Sequence, residues 1–231
     1  MEKVQKISLL AKGMGMLLSG TCRLLTGVRT RWVGCQPSMT PRIYYANHSS
    51  HLDGLVIWSG LPPLMRHFVH PVAAKDYWDK TPFRRYLVNK VFRAVLVERK
   101  GDKPAQNAIL QPLESVLDAK HSLILFPEGT RGDGETLSQF KSGLYHLAKK
   151  YPDVEVVPVY LENLNRVLPK GTKLVVPIIC SAMVGQPLAP LMENENKTVF
   201  LQRAKAALEE LMPWVFGTVS SFYYYLVYLV Y

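Results

Sequence analysis

Ile43-Tyr44-Tyr45-Ala46-Asn47-His48-Ser49-Ser50-His51-Leu52-Asp53-Gly54-Leu55-Val56-Ile57-Trp58-Ser59 is the stretch that decides how this chain folds. Its first four residues form an aromatic, apolar run of strand type, and residues 53–59 carry helical periodicity behind a polar hinge. A strand that turns straight into a helix is half of a β-α-β unit. The alternation recurs downstream. Strand-like runs stand at Val69–Ala73, Ala94–Val97, Leu123–Phe126, Val154–Tyr160 and Leu174–Ile179, and helical periodicity at 82–92, 104–119, 139–150 and 196–211. That order predicts an α/β fold, a largely parallel sheet flanked by helices, with its site in the loops at strand ends. There is no internal repeat, low-complexity linker or second globular domain.

The hinge carries chemistry. His48 and Asp53 lie five positions apart, so a base and the carboxylate that orients it can meet at the strand end. A structural reading of Asp53 stays open beside this one, because Ser50-His51-Leu52-Asp53 is also a capping box that satisfies backbone N–H groups at a helix start. Phe126-Pro127-Glu128-Gly129-Thr130-Arg131 ends another apolar run with an acid, a glycine and an arginine. A guanidinium there, beside a glycine that lets the backbone approach a ligand, suits bidentate bonding to phosphate, although a solvated surface cation is the ordinary fate of an arginine. Together the blocks suggest a site that deprotonates a hydroxyl while holding a phosphate. His48, His51 and Asp53 do not make a metal cluster, since Gly54 stands where an H-x-H-x-D-H ligand set needs its last histidine. His67, His70, His121 and His146 lack ligand spacing too. No metal is expected.

The two blocks resemble the signature of the glycerolipid acyltransferases, most of all the lysophosphatidate acyltransferases: a histidine, four residues and an aspartate, then FPEGTR. Val97-Glu98-Arg99, Phe140-Lys141-Ser142-Gly143 and Val156-Val157-Pro158-Val159-Tyr160 follow the same family order, so the resemblance covers roughly residues 43–188. It implies His48 as general base, Asp53 as its orienter, and direct acyl transfer without an acyl-enzyme. It also implies that Arg99 and Arg131 bind the acceptor phosphate while Glu128, Gly129 and Thr130 shape the acceptor pocket. Lys75 and Lys141 are further candidates. The expected organisation is an amphipathic membrane-docking region at 1–40, an acyltransferase domain at 41–210, and an apolar aromatic tail at 211–231.

Composition agrees. The 231 residues are long enough for one well-buried α/β domain, and a 48% hydrophobic content is high for a soluble protein. With 28 Lys and Arg against 18 Asp and Glu, the net charge of +10 suits anionic lipid, coenzyme A phosphates or acidic acyl carrier protein. No zinc-knuckle or basic-aromatic motif points to nucleic acid. Cys22, Cys35 and Cys180 are sparse and irregular, which reads as free thiols in a reducing compartment.

Residues 4–28 give the clearest amphipathic signal, with Ile7, Leu10, Met14, Leu17, Leu18, Leu24, Leu25 and Val28 on one stripe and Lys12, Ser19 and Arg23 opposite. Charges interrupt it too often for a spanning helix. Membrane contact is the expectation, and packing on the domain's own core is the competing one. From Leu211 to Tyr231 the chain is uncharged and rich in tyrosine, which fits an interfacial anchor first and a buried segment second.

The expected activity is acyl transfer from acyl-CoA or acyl-carrier protein to 1-acyl-sn-glycerol 3-phosphate, with no resident cofactor, at the cytoplasmic face of a membrane such as a bacterial inner membrane. Glycerol 3-phosphate or another lysophospholipid as acceptor is the nearest alternative. A catalytically silent lipid-binding protein is the alternative from another class.

Overall fold

The structure, a computed structural model, describes residues 8–98, 106–164 and 180–212. Seven strands form one sheet: β1 (Arg29–Trp32), β2 (Arg42–Ala46), β3 (Val69–Ala74), β4 (Val95–Val97), β5 (Ser122–Leu125), β6 (Glu155–Glu162) and β7 (Ser181–Val184). Their order across the sheet is β1-β7-β6-β2-β5-β3-β4. Every neighbouring pair is parallel except β6 with β7, where Val159 faces Val184 and Glu162 faces Ser181. The sheet is therefore largely parallel, as the alternating pattern predicts. Strands β2 and β5 are adjacent, Tyr45 opposite Leu125, so the two motifs that follow them emerge side by side.

Strand β2 is central and buried along its whole length. Successive side chains point to opposite faces, and the two faces are different core layers. Tyr44 and Ala46 pack with Val56, Ile57 and Trp58 of α2 (Asp53–Gly60). Ile43 and Tyr45 pack in the other layer, with Leu117 of α5 (Gln106–Asp118), Leu144 and Leu147 of α6 (Gly143–Lys150) and Phe200 of α7 (Lys197–Glu209). Full burial of each such side chain stabilises the fold by about 1.5–3 kcal/mol, so the strand before the hinge is held from both sides. Arg42 fixes its start, donating from Nε to Glu155 at 2.6 Å and from Nη1 to the Gln36 carbonyl at 2.7 Å.

Helix α1 (Leu9–Thr26) turns its apolar stripe outward. Its buried residues are Ala11, Gly15, Ser19, Cys22 and Thr26, whereas Leu9, Leu10, Met16, Leu17 and Leu24 are at least 63% exposed. Small residues face inward because the helix lies close: a Cβ added at Gly15 would sit 3.1 Å from the Trp58 ring. Ser19 is drawn in by the buried Arg66, whose guanidinium donates to Ser19 Oγ at 2.9 Å, to the Ser59 carbonyl at 2.7 Å and to the Leu61 carbonyl at 3.0 Å. A buried charge is tolerated when its donors are met in this way.

Other elements depart from the sequence expectation. Strands β1 and β7 lie outside the predicted runs, and the strand expected at Leu174–Ile179 falls outside the described residues. The helix expected at 82–92 is two pieces, α4 (Pro82–Tyr86) followed by one wide turn in which the Phe92 N–H bonds the Leu87 carbonyl at 2.9 Å. A short α3 (Lys75–Trp78) continues directly from β3. Residues 139–142 are not helical, because the Lys141 N–H bonds the Pro127 carbonyl at 2.8 Å and ties that segment to the loop after β5.

Candidate active site

The site is built where β2 and β5 end. Beyond Ala46 the buried Asn47 bonds β6 twice, donating from Nδ2 to the Leu161 carbonyl at 2.8 Å and accepting from the Leu161 N–H at 2.7 Å. That amide replaces the sheet ladder at the point where the chain must leave it, so the direction in which residue 48 departs is fixed.

Asp53, fully buried at the first turn of α2, gathers the hinge around one oxygen. Its Oδ2 accepts from the Ser49 N–H at 2.7 Å and the Ser50 N–H at 2.9 Å, and lies 2.8 Å from His48 Nδ1. The Ser50 and Ser49 bonds are those the structural reading of Asp53 expects, and the contact with His48 is the geometry a catalytic role would need. Oδ2 already accepts from two backbone N–H groups, so the contact with His48 is met by an Nδ1–H that donates to the same oxygen, which leaves Nε2 as the acceptor nitrogen of the ring. The His48 ring stacks on Phe126 at 4.3 Å with 20° between planes and keeps 22% of its side chain exposed, enough for a ligand to reach it.

The loop after β5 grips the His48 backbone from both sides. Buried Glu128 accepts the His48 N–H on Oε1 at 2.8 Å and the Ser138 N–H on Oε2 at 2.9 Å, and the Gly132 N–H donates to the His48 carbonyl at 2.8 Å. Glu128 therefore positions the backbone of His48, a role that its spacing in the sequence does not reveal. Gly129 takes a left-handed conformation, φ +70°, and the stem of Lys141 lies across it, 2.7 Å from where a Cβ would stand. A side chain here would meet both penalties. Thr130 is exposed at the tip of this turn.

The cations divide. Arg131 is brought next to the hinge, close enough that its charge acts on the His51 ring, and among the described residues it has no hydrogen bond or ion pair. Lys141 lies against Gly129. Lys75, at the end of β3, instead pairs with Glu98 at the end of β4, Nζ to Oε1 2.8 Å, with both side chains well exposed. Arg99 lies outside the described residues. The His51 ring stacks on Tyr77 at 4.9 Å, whereas it is His48 that bonds Asp53, so the two histidines are not equivalent.

Beside His48 a cavity is walled by Asn47, Ser49 and Glu128 on the polar side and by Leu137, Tyr160 and Met212 on the apolar side. Met212 is the last described residue before the apolar tail. Asn47, Phe126 and Ser138 complete the site yet were not singled out from sequence. Asn47 stood within the quoted motif, and its place directly after a buried strand was the signal available.

Residues 34–162, more than half of the 231, match the family model described as Acyltransferase. Among curated proteins the chain is similar to the 1-acyl-sn-glycerol-3-phosphate acyltransferase of Limnanthes alba, 30% identical over 71% of this chain and 56% of that protein. It is likewise similar to the yeast Saccharomyces cerevisiae protein of the same name, 30% identical over 62% of this chain and 46% of that one. The chain spans about half the length of the curated relatives it matches. Its fold is similar to the crystal structure of PlsC, the 1-acyl-sn-glycerophosphate (LPA) acyltransferase from Thermotoga maritima, with a TM-score of 0.67 at 21% identity over 90% of this chain and 82% of that one.

Proposed function

Because the chain belongs to the acyltransferase family, we propose that it moves a fatty acyl group from acyl-CoA or acyl-carrier protein to the free hydroxyl of 1-acyl-sn-glycerol 3-phosphate, giving phosphatidate. The observation that carries this reading is the His48 ring, its Nδ1 held by buried Asp53 and its side chain still partly exposed beside a small cavity. Nε2 takes the hydroxyl proton as the acceptor oxygen attacks the thioester carbonyl. Asp53 stabilises the imidazolium that forms. The C–S bond breaks, and His48 returns the proton to the departing thiolate, so an ester and a thiol replace an alcohol and a thioester with no net proton change. The reaction calls for no resident cofactor.

Arg131, beside the hinge and without an ion pair among the described residues, is the group suited to the acceptor phosphate, with Arg99 its partner by family resemblance. The outward leucines of α1 support residence at a membrane surface, where both substrates carry their chains: no described helix is long and apolar enough to cross a bilayer, but a helix lying in the interface with leucines down needs only one apolar face. Seven basic residues against one acid in the first 42 would add attraction to anionic lipid. Purified protein offered lysophosphatidate, glycerol 3-phosphate and lysophosphatidylglycerol, each with acyl-CoA and acyl-carrier protein, tests the reading. Phosphatidate should be the dominant product by mass spectrometry. Turnover of none of these pairs would refute it.

A further inference from the structure

We propose that His51, Tyr77 and Arg84, together with Arg131, form a preorganised site for a phosphate monoester beside His48. The proposal rests on the acyl-transfer reading above and adds Arg84 and Tyr77 to the groups that read a substrate.

Three side chains from separate elements are stacked in a row at the carboxyl edge of the sheet. The His51 ring, at the start of α2, lies on Tyr77 of α3 at 4.9 Å with 21° between planes. The Arg84 guanidinium, from α4, lies over Tyr77 at 4.4 Å from the ring centre, and its Nη1 donates to the Tyr77 carbonyl at 3.3 Å. An arginine held over a ring and by one bond to a carbonyl has further N–H groups to offer an acceptor, and much of the ordering cost of the side chain is already met before a ligand arrives.

Nearby cations have carboxylates, Lys75 with Glu98 at 2.8 Å and Arg85 with Asp79 at 3.6 Å, whereas among the described residues neither Arg84 nor Arg131 has an ion pair. Although His51 as a whole is exposed, its stacked ring is partly covered. That cover, and then the charges of Arg131, His48 and Arg84, hold it below its ordinary pKa with only Asp53 opposing. Arg131 and Arg84 thus both act on one ring, and an anion bound against this stack is attracted by both charges. A doubly charged monoester gains more from two guanidiniums than a singly charged diester does, so this corner selects lysophosphatidate over lysophospholipids with larger head groups. The 3′-phosphate of coenzyme A has the same chemistry and is the other source.

The test compares wild type with Arg84→Ala, Arg84→Lys and Tyr77→Leu. Acceptors are lysophosphatidate, lysophosphatidylglycerol and monoacylglycerol, each with acyl-CoA and with S-acyl-N-acetylcysteamine, a thioester without phosphate. Arg84→Ala should lower kcat/KM about tenfold or more wherever a monoester is read, with Arg84→Lys recovering part of the loss. Loss with lysophosphatidate under both donors assigns the acceptor phosphate. Loss with acyl-CoA under all acceptors assigns the donor. Equal losses in every combination would overturn the site and leave Arg84 a structural residue. If wild type turns over no pair, the acyl-transfer reading fails separately, and calorimetric binding of lysophosphatidate still decides: affinity about tenfold weaker in Arg84→Ala supports the site, and unchanged affinity overturns it.

Discussion

Substituting Glu128→Gln changes one group of the site and strikes both the fold and the base. The carboxylate is 4% exposed and accepts two backbone N–H groups, from His48 at 2.8 Å and Ser138 at 2.9 Å. A glutamine amide offers one oxygen and one NH₂, so one of the two N–H groups faces a donor in place of an acceptor. Leaving a buried donor unmet costs about 1–3 kcal/mol, and the surviving bond loses its charge assistance, so a loss of about 3 kcal/mol is expected. For a domain of this size that corresponds to a fall in Tm of roughly 6–12 °C. His48 hangs on the same carboxylate, and misplacing a catalytic group by about 1 Å lowers turnover by roughly 10²-fold. Melting followed by circular dichroism, with kcat measured well below the new Tm, separates the two effects. A variant with native Tm and native kcat would refute the positioning role.

Acid should destabilise the protein through His70, which is 5% exposed and bonded through Nδ1 to the Arg93 carbonyl at 2.6 Å. Burial, aided by the charges of Arg93 and His121, lowers its pKa to about 4, so between about pH 6.5 and 4 the unfolded chain binds a proton that the folded one does not. Stability therefore falls by about 3 kcal/mol as pH drops through that window, and His70→Gln should flatten this limb of a denaturant-midpoint profile against pH. On α1, Leu17→Ser with Leu24→Ser should weaken binding to anionic vesicles about tenfold or more in a flotation assay, with Tm nearly unchanged because both side chains are exposed. Arg131→Lys keeps the charge and loses the fork, so kcat/KM for lysophosphatidate should fall by roughly one to two decades while monoacylglycerol is affected far less.

The residues that could be read in advance are those whose role is local. The change of period at Asn47–Asp53 announces a strand turning into a helix, and the five-residue spacing of His48 and Asp53 is short enough for the turn itself to bring them together. Glu128 stands 80 positions from His48, and only the pairing of β2 with β5 brings its carboxylate to the His48 N–H. Strand β1 escaped because Arg29 and Arg31 break any apolar run in it, and β7, Ser181-Ala182-Met183-Val184, because it holds one β-branched residue and no aromatic one. The stripe on α1 was legible but its direction was not. Periodicity tells that a helix has two faces, and here the face of small residues made the closer contact with Trp58 while the leucines were left outside. His51, Tyr77 and Arg84 come from separate elements, and no spacing links them.

The central claim is that His48 is the base for acyl transfer to lysophosphatidate. Its most direct test is the rate of phosphatidate formation from lysophosphatidate and acyl-CoA by wild type, His48→Ala and His51→Ala, with lipid binding measured alongside. His48→Ala should lose about 10²- to 10⁴-fold in kcat with binding nearly intact, and His51→Ala much less. Near-full activity in His48→Ala, or abolition by His51→Ala alone, would contradict it.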